Sequence, residues 1–367
     1  MTVGIDWQGN FIAVGGTNYY PFDIAYGNGI YVITASSDDS NAYTLTSSDG
    51  ATWTVNTLSG IDNLSLIFFG GGKFIARTNT GQASSTNGVA WTNLTLPITV
   101  DPMEGESFGA GTYGEGKYVI PFLTPHIALT STPKAIISSD GGTTWTTIDS
   151  PLIDDGYGQS FYYDGNFILS QPDYSPDYTI LFISADGSTW ARHDILAGIR
   201  DIAFNGTTYA LLVRYDDSGI EKRRVYRTTN LLSDSGTWAY TQLSNDDSWT
   251  NIVYNHSQFT LIGAGTNLVA TSTDAVTWTV RYSLEGGGQI RELTYSGSAF
   301  VGVGYNFETG IIYNSGIART PDWIDIGDPP DEGDGTSEPS IEGATVLNIW
   351  VKDVDNVWKI ATAKVHP

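Results

Sequence analysis

The sequence predicts an all-β protein, a seven-bladed β-propeller of four-stranded antiparallel blades, and three observations carry that prediction. A Ser/Thr-Asp-Gly turn closed by tryptophan recurs along the chain: SSDGATW (47–53), SSTNGVAW (84–91), SSDGGTTW (138–145), SADGSTW (184–190), an expanded TTNLLSDSGTW (228–238), STDAVTW (272–278) and a degenerate ARTPDW (318–323). Trp53 and Trp323 lie 270 residues apart over six intervals, and a period of 45 belongs to propeller blades or solenoid units. Ahead of each turn, one aromatic residue is followed five positions later by another.

Those aromatic pairs choose the propeller. They are Tyr26 and Tyr31, Phe69 and Phe74, Tyr113 and Tyr118, Tyr162 and Phe167, Phe204 and Tyr209, Tyr254 and Phe259, and Tyr295 and Phe300. Stretches such as DIAYGNGIYVI (23–33) are two β-rich runs around a Gly/Asn turn, which is a hairpin signal. A second hairpin leads into the Ser-Asp-Gly turn and leaves it through tryptophan. Four short strands per period make one blade, and radial repetition leaves only short, protected edges. Within the turn, Asp and Ser/Thr side chains bond nearby backbone groups, and the indole buries a large apolar area. Asp49, Trp53, Trp91, Asp140, Trp145, Asp186, Trp190, Trp238, Asp274 and Trp278 are therefore read as blade staples, not ligands.

Ser138, Asp140, Gly142, Thr144 and Trp145 match the pattern Ser-x-Asp-x-Gly-x-Thr-Trp without a gap, and the turns at 47, 184 and 272 are one residue shorter. In these residues the chain resembles the Asp-box (BNR-like) repeat family, found in sialidases and in many unrelated propellers. The resemblance spans residues 23–323. A sialidase that resembles the family in full also carries an Arg-Ile-Pro segment near its start, three converging arginines and a Tyr/Glu nucleophile pair. This chain has no Arg-Ile-Pro and no arginine before Arg77. His126, His193, His256 and His366 lack a metal-binding spacing. No catalytic residue is assigned.

Composition narrows the function classes. With 42 Gly and 13% aromatic residues among 367, and no helical heptads, little α-helix is expected. No apolar run reaches the length of a membrane span, so no membrane insertion is expected, and MTVGIDWQGNF carries no secretory signal pattern. The absence of cysteine excludes disulfides and thiol chemistry. A net charge of −23, from 40 acidic against 17 basic residues, repels phosphate backbones and argues against nucleic acid as a partner. No cofactor is expected. Calcium is the cation that the acidic loops at 36–41, 154–155 and 245–248 would suit, although none spaces its oxygens as a known calcium loop does.

The expected organisation is a propeller over 1–326, an acidic flexible linker over 327–343 and a C-terminal β-hairpin over 344–367. DIGDPPDEGDGTSEPSIEG (325–343) has too few apolar residues to form a core. VLNIWVK and VWKIATAKV flank a turn at Asp353 to Asn356. That hairpin looks like the short terminal hairpins of many tailed-phage virion proteins, which implies a virion or extracellular location and attachment to other virion structural proteins. VGIDWQGNFIAVGG (3–16) reads as an extra hairpin at the ring closure. The alternative is an eighth blade, formed by this segment and the C-terminal hairpin, where Asp353 precedes Trp358 as Asp140 precedes Trp145.

In up-and-down blades the first and third turns share one face, and the second turns and inter-blade crossings share the other. The long connections 96–109, 121–134, 170–179, 214–225 and 304–310 are thus expected together, as irregular loops on a rigid scaffold. The candidate ligand residues on that face are Tyr157, Asp173, Tyr174, Asp177, Tyr178, Arg200, Tyr215, Asp216, Asp217, Arg223, Trp249 and Tyr305. Aromatic faces beside carboxylates and guanidinium groups suit sugar rings, with their apolar C–H faces and hydroxyl rims. The expected function is a non-enzymatic, virion-associated propeller, a phage tail fibre or capsid appendage, that binds a host-surface glycan or receptor. A sialidase-like glycoside hydrolase and an assembly scaffold are the alternatives.

Overall fold

A computed structural model of the protein describes residues 8–11, 13–14, 17–37, 41–104, 106–123, 134–149, 159–172, 179–195, 198–217, 220–233, 235–243, 249–263, 268–283, 289–305, 310–315, 346–352 and 358–364. The chain divides into two compact units, Met1–Ile317 and Ala318–Pro367. The first is a seven-bladed propeller of antiparallel sheets. Blade one runs outward through Thr17–Gly27, Ile30–Ser37, Ala42–Ser47 and Thr54–Thr57, with Ala13–Val14 paired to its first strand. Blade two comprises Ser65–Gly70, Lys73–Arg77, Gln82–Ser85 and Thr92–Asn93. In blade three, Ser107–Phe108 and Thr112–Gly114 both pair with Lys117–Leu123, followed by Lys134–Ser138 and Thr146–Asp149. Blade four comprises Gln159–Tyr163, Asn166–Pro172, Thr179–Ser184 and Ala191–Ile195. Blade five comprises Gly198–Phe204, Tyr209–Asp217, Ile220–Thr228 and Ala239–Gln242, and blade six Trp249–Asn255, Gln258–Gly263, Leu268–Ser272 and Thr279–Ser283. Helical geometry among the described residues is limited to two 3-10 turns, Pro102–Glu104 and Ser235–Thr237.

Blade seven corrects the expectation for the N-terminus. Its inner strands are Gln289–Tyr295, Phe300–Tyr305 and Gly310–Ser315, and its outermost strand is Gln8–Phe11, paired from Gln8↔Asn314 to Phe11↔Ile311. The segment is therefore not an extra hairpin. The third strand of blade seven would otherwise leave a row of unpaired backbone groups, and the N-terminal strand satisfies them. The second unit forms a sheet of its own, Val346–Lys352 against Trp358–Lys364, registered from Lys352↔Trp358 to Val346↔Lys364. The turn-like segment 318–323, the acidic run 327–343 and the loop residues 38–40, 154–155 and 244–248 lie outside the described residues.

Hydrophobic clusters fill the spaces between successive blades. Ile24, Tyr31 and Leu45 of blade one pack with Val301, Val303 and Ile312 of blade seven, which seals the ring. Blades four and five share Ile168, Leu181, Ile202 and Leu211, and blades five and six share Leu212, Val225, Ile252 and Leu261. Strands such as Thr179–Ser184 are buried along their whole length, because both faces of each sheet are covered by neighbours.

The two repeat signals meet in this packing. Each aromatic pair is a direct cross-strand pair, as in Tyr26↔Tyr31 and Tyr295↔Phe300. Ring centroids lie from 4.3 Å in Phe204–Tyr209 to 4.9 Å in Tyr162–Phe167. The turn tryptophan then packs on the second ring of the pair, Trp145 on Tyr118 at 5.8 Å and Trp53 on Tyr31 at 6.2 Å. In the turn at 47–53, the Ser47 hydroxyl accepts from Gly50 N at 2.8 Å, and Asp49 Oδ1 accepts from Ala51 N and Thr52 N at 2.8 and 2.7 Å. Trp53 Nε1 donates to Gly50 O at 3.2 Å. The turns ending at Trp91, Trp145 and Trp278 repeat the indole bond, to Gly88, Gly142 and Ala275. Trp190 Nε1 has no partner among the described residues, and Trp238 Nε1 donates to Ser233 Oγ across the expanded turn.

Gly27, Gly70 and Gly114 occupy one repeat position, where a Cβ would overlap the rings of Phe69, Tyr113 and Tyr162 in the following blade. The leading aromatic of one blade thus seats on the bare backbone of the blade before it.

Two outcomes follow from this packing. Trp145 is buried, so Trp145→Ala is expected to cost about 3–5 kcal/mol in a denaturant melt, with Trp145→Phe losing less; an alanine variant as stable as the parent would remove the staple role. Gly114→Ala forces Tyr162 from its seat and is expected to cost roughly 1–3 kcal/mol. The matching check is Gly116→Ala, which meets nothing within 4 Å and isolates the backbone penalty of a positive φ.

Candidate functional site

Blade five carries the longest second hairpin of the ring: Tyr209–Asp217 and Ile220–Thr228 stay in register out to Asp217↔Ile220. Residues 214–225 were expected as an irregular loop, and 214–217 and 220–225 are regular strand, with 218–219 outside the described residues. The hairpin projects from the face of the second turns because its ladder of strand pairs continues without a register shift as far as Asp217↔Ile220.

Strand alternation places Tyr215, Arg224, Tyr226, Tyr240 and Gln242 on one side of this sheet, through the pairs Tyr215↔Lys222, Arg224↔Gln242 and Tyr226↔Tyr240. The Arg224 guanidinium lies 3.6 Å from the Tyr215 ring centroid and 4.5 Å from that of Tyr240. Tyr240 in turn meets Tyr226 at 5.2 Å, the two rings inclined by 41°. Gln242 Oε1 accepts from the Tyr215 hydroxyl at 2.6 Å and from Arg224 Nε at 3.2 Å, while Gln242 Nε2 donates to Arg223 O at 3.2 Å. A partly buried arginine is thereby held against two rings, with Tyr240 50% exposed at the end of the row.

The structure distributes the other candidates differently. Arg223 is on the opposite side of the same strand, buried, and donates from Nε to Trp249 O at 3.1 Å, so it ties blade five to blade six. Trp249 is 2% exposed and packs with Leu212 and Leu261; it belongs to the core and not to the loop face, because it opens the first strand of blade six. Arg200 is exposed at a register irregularity of the first strand of blade five. Tyr157, Asp173, Tyr174, Asp177 and Tyr178 lie outside the described residues, as do the side chains of Asp216, Asp217 and Tyr305. Arg224, Tyr226, Tyr240 and Gln242 are the members that sequence reasoning missed. The signal was available in the period-two alternation of KRRVY (222–226) and AYTQ (239–242), once 214–225 is read as strand.

A second set of charged groups lies on the innermost strands. Asp23, Asp201 and Glu292 occupy one repeat position, three residues before the leading aromatic of their blades. Asp23 Oδ1 accepts from Ile24 N at 2.7 Å, and Oδ2 from Ile67 N of blade two at 2.8 Å. Asp201 repeats this with Ile202 N and with Ile252 N of blade six, both at 2.8 Å. These carboxylates are clips between first strands. Burial pushes Asp201 up to about 7 against the pull of its two amides, and it raises Asp23 in the same way. Glu292 is raised by burial first and then by the charges of Asp23 and Asp201. The turn carboxylates behave oppositely: the Thr144 hydroxyl and amide hold Asp140 well below the usual range, and the amides of Thr189 and Ser188 do so for Asp186. Among the described residues, no group of three or more His, Cys, Asp and Glu is arranged to hold a metal ion.

With this geometry in view, the relatives can be placed. Residues 21–161 are similar to the family described as DUF6242 beta propeller domain. That span runs from the first strand of blade one into the first strand of blade four. No curated protein matches the chain. Among solved structures, virginiamycin B lyase from Staphylococcus aureus superposes with a TM-score of 0.60 at 13% identity, over 84% of this chain and 99% of that one. A streptogramin B lyase gives 0.60 at 12%, over 86% and 99%. The β-propeller domain of the Trilobed protease from Pyrococcus furiosus gives 0.55 at 9%, over 81% and 95%, and is described as having an open velcro topology. At these identities the likeness shows the fold alone. The present ring differs from an open one in the pairing of Gln8–Phe11 with blade seven.

The axial clips give a pH dependence. A folded pKa raised above the ordinary 3.8 means that the folded state holds more protons, so the contribution of Asp201 is fully present below about pH 4 and is lost as pH rises through about 7. The turn carboxylates contribute above about pH 4 and lose that contribution on further acidification. The melting temperature is expected to fall between pH 5 and 7.5, and Asp201→Asn to flatten that slope. An unchanged slope in the variant would show that Asp201 does not titrate across this window.

Proposed function

We propose that this protein is a non-enzymatic binding module whose second-turn face, with blade five projecting from it, recognises a saccharide or receptor on a host surface as part of a phage virion, in a tail fibre or capsid appendage. The observation that carries the binding reading is the Tyr215–Arg224–Tyr240 stack, a partly exposed aromatic and cationic surface held rigid by Gln242. A rigid aromatic platform loses little conformational entropy on binding, which is the advantage of placing recognition on a sheet. The virion setting rests on the resemblance of the C-terminal hairpin to terminal hairpins of tailed-phage proteins.

The glycosidase reading has less behind it. A hydrolase needs two carboxylates at a set separation, one to donate a proton and one to attack or to activate water. Asp23 and Asp201 each have both oxygens engaged by backbone amides, one from the next residue of the same strand and one from the adjacent blade.

The test is a panel of immobilised bacterial surface glycans with the full chain. Retention on at least one class is expected, weakened by Tyr215→Ala, with no release of reducing ends on prolonged incubation. Sustained release that stops on changing one acidic residue would make the hydrolase reading correct. Absence of retention on every glycan would overturn the saccharide reading.

A further inference from the structure

We infer that the blade-five stack is a subsite for a carboxylate-bearing sugar, a uronic-acid residue within a saccharide chain, an inference that rests on the saccharide-binding reading above. Arg224 has no carboxylate partner among the described residues. Tyr215 and Tyr240 cover the faces of its guanidinium, and Gln242 fixes Nε. With the faces covered, the edge of the planar fork is what remains for a ligand, and that edge matches a carboxylate through two parallel N–H···O bonds. Immobilising a free arginine side chain costs up to about 2 kcal/mol of rotamer entropy, and here the rings and Gln242 impose that cost before any ligand arrives.

Tyr240 supplies the second half of the site. It is half exposed and its ring is inclined 41° to that of Tyr226, so the uncovered part of the ring borders the guanidinium. A pyranose ring packed by its C–H groups against that uncovered part would bring an equatorial carboxylate toward Arg224.

Charge selects among anions. Residues 198–242 hold six of the 17 Lys and Arg but only five of the 40 acidic residues, so blade five is near neutral in a ring that is otherwise strongly acidic. At physiological salt, fields are screened over about 8 Å, so contact at the stack is decided by blade five itself. A densely charged phosphate chain would meet the acidic remainder of the molecule, whereas carboxylates spaced one per sugar would not.

The experiment titrates the full-length protein with trigalacturonate and with its methyl ester, followed by calorimetry or by NMR shifts. Binding of the acid is expected, with the ester weaker by about tenfold or more, and with affinity rising as salt is lowered. Arg224→Gln should lose about tenfold or more for the acid while melting like the parent, and Arg224→Lys should recover part of it, because the charge returns without the fork. Tyr240→Ala should weaken acid and ester alike. If Arg224→Gln fails to fold, the Arg224→Lys titration decides the same point. Equal binding of acid and ester, or an Arg224→Gln variant that binds like the parent, would overturn the inference. Binding of neutral oligosaccharides that depends on Tyr240 but not on Arg224 would remove the uronate assignment and leave saccharide binding standing. Failure of every acidic and neutral glycan would remove both.

Discussion

The rest of the structure depends on one constraint: each blade is a small sheet with two apolar faces, and neither face can be left in water. The third strand of blade four, Thr179–Ser184, has no exposed residue. A sandwich covers one face of each sheet, and only a ring of sheets covers both for every member. Ring closure is therefore the condition for burying the core, and the pairing of Gln8–Phe11 with Gly310–Ser315 supplies it together with the packing of Ile24 and Leu45 against Val301 and Ile312. The glycines at 27, 70 and 114 are part of the same arrangement, since each lets the next blade approach closely enough for an aromatic ring to replace a missing side chain.

Polar ties between blades follow from that proximity. Asn28 Nδ2 of blade one donates to Gly72 O and Thr86 O of blade two at 2.9 and 3.0 Å. Lys73 Nζ reaches Gly141 O of blade three at 2.7 Å, Lys117 Nζ reaches Asp186 O of blade four at 2.8 Å, and Arg227 Nη1 reaches Ala275 O of blade six at 2.9 Å. Donors of one blade thus meet the backbone of the staple turn in a later one. The turns act as fasteners, which accounts for carboxylates held deprotonated by their own loop and not by a ligand. The face that carries them is occupied by structural bonds.

Blade five departs from its neighbours where a binding surface would require it. Its second hairpin runs further, its cations are concentrated, and one side carries an ordered stack of rings around an arginine. The axial carboxylates, by contrast, are titratable groups spent on joining innermost strands, as the paired amide contacts of Asp23 and Asp201 show. Their raised pKa follows from burial alone, which outweighs the opposing pull of the amides that they bind.

The sequence by itself determined the architecture. A 45-residue period, an aromatic pair across a tight turn and a Ser-Asp-Gly turn closed by tryptophan are local signals, each read within one hairpin, and repetition converts them into a blade count. What it did not determine is how the ring closes, since the partner of Gln8–Phe11 is some 300 residues away and no local pattern in GNF or IIY names the other. Nor did it settle which polar residues meet. Arg223 and Arg224 are neighbours in the chain and both read as loop residues, yet strand alternation sends one into the contact with Trp249 and the other into the exposed stack. Trp249 read as a surface aromatic for the same reason, because composition reports what a side chain is and only the packing of adjacent blades decides which side of a strand is buried.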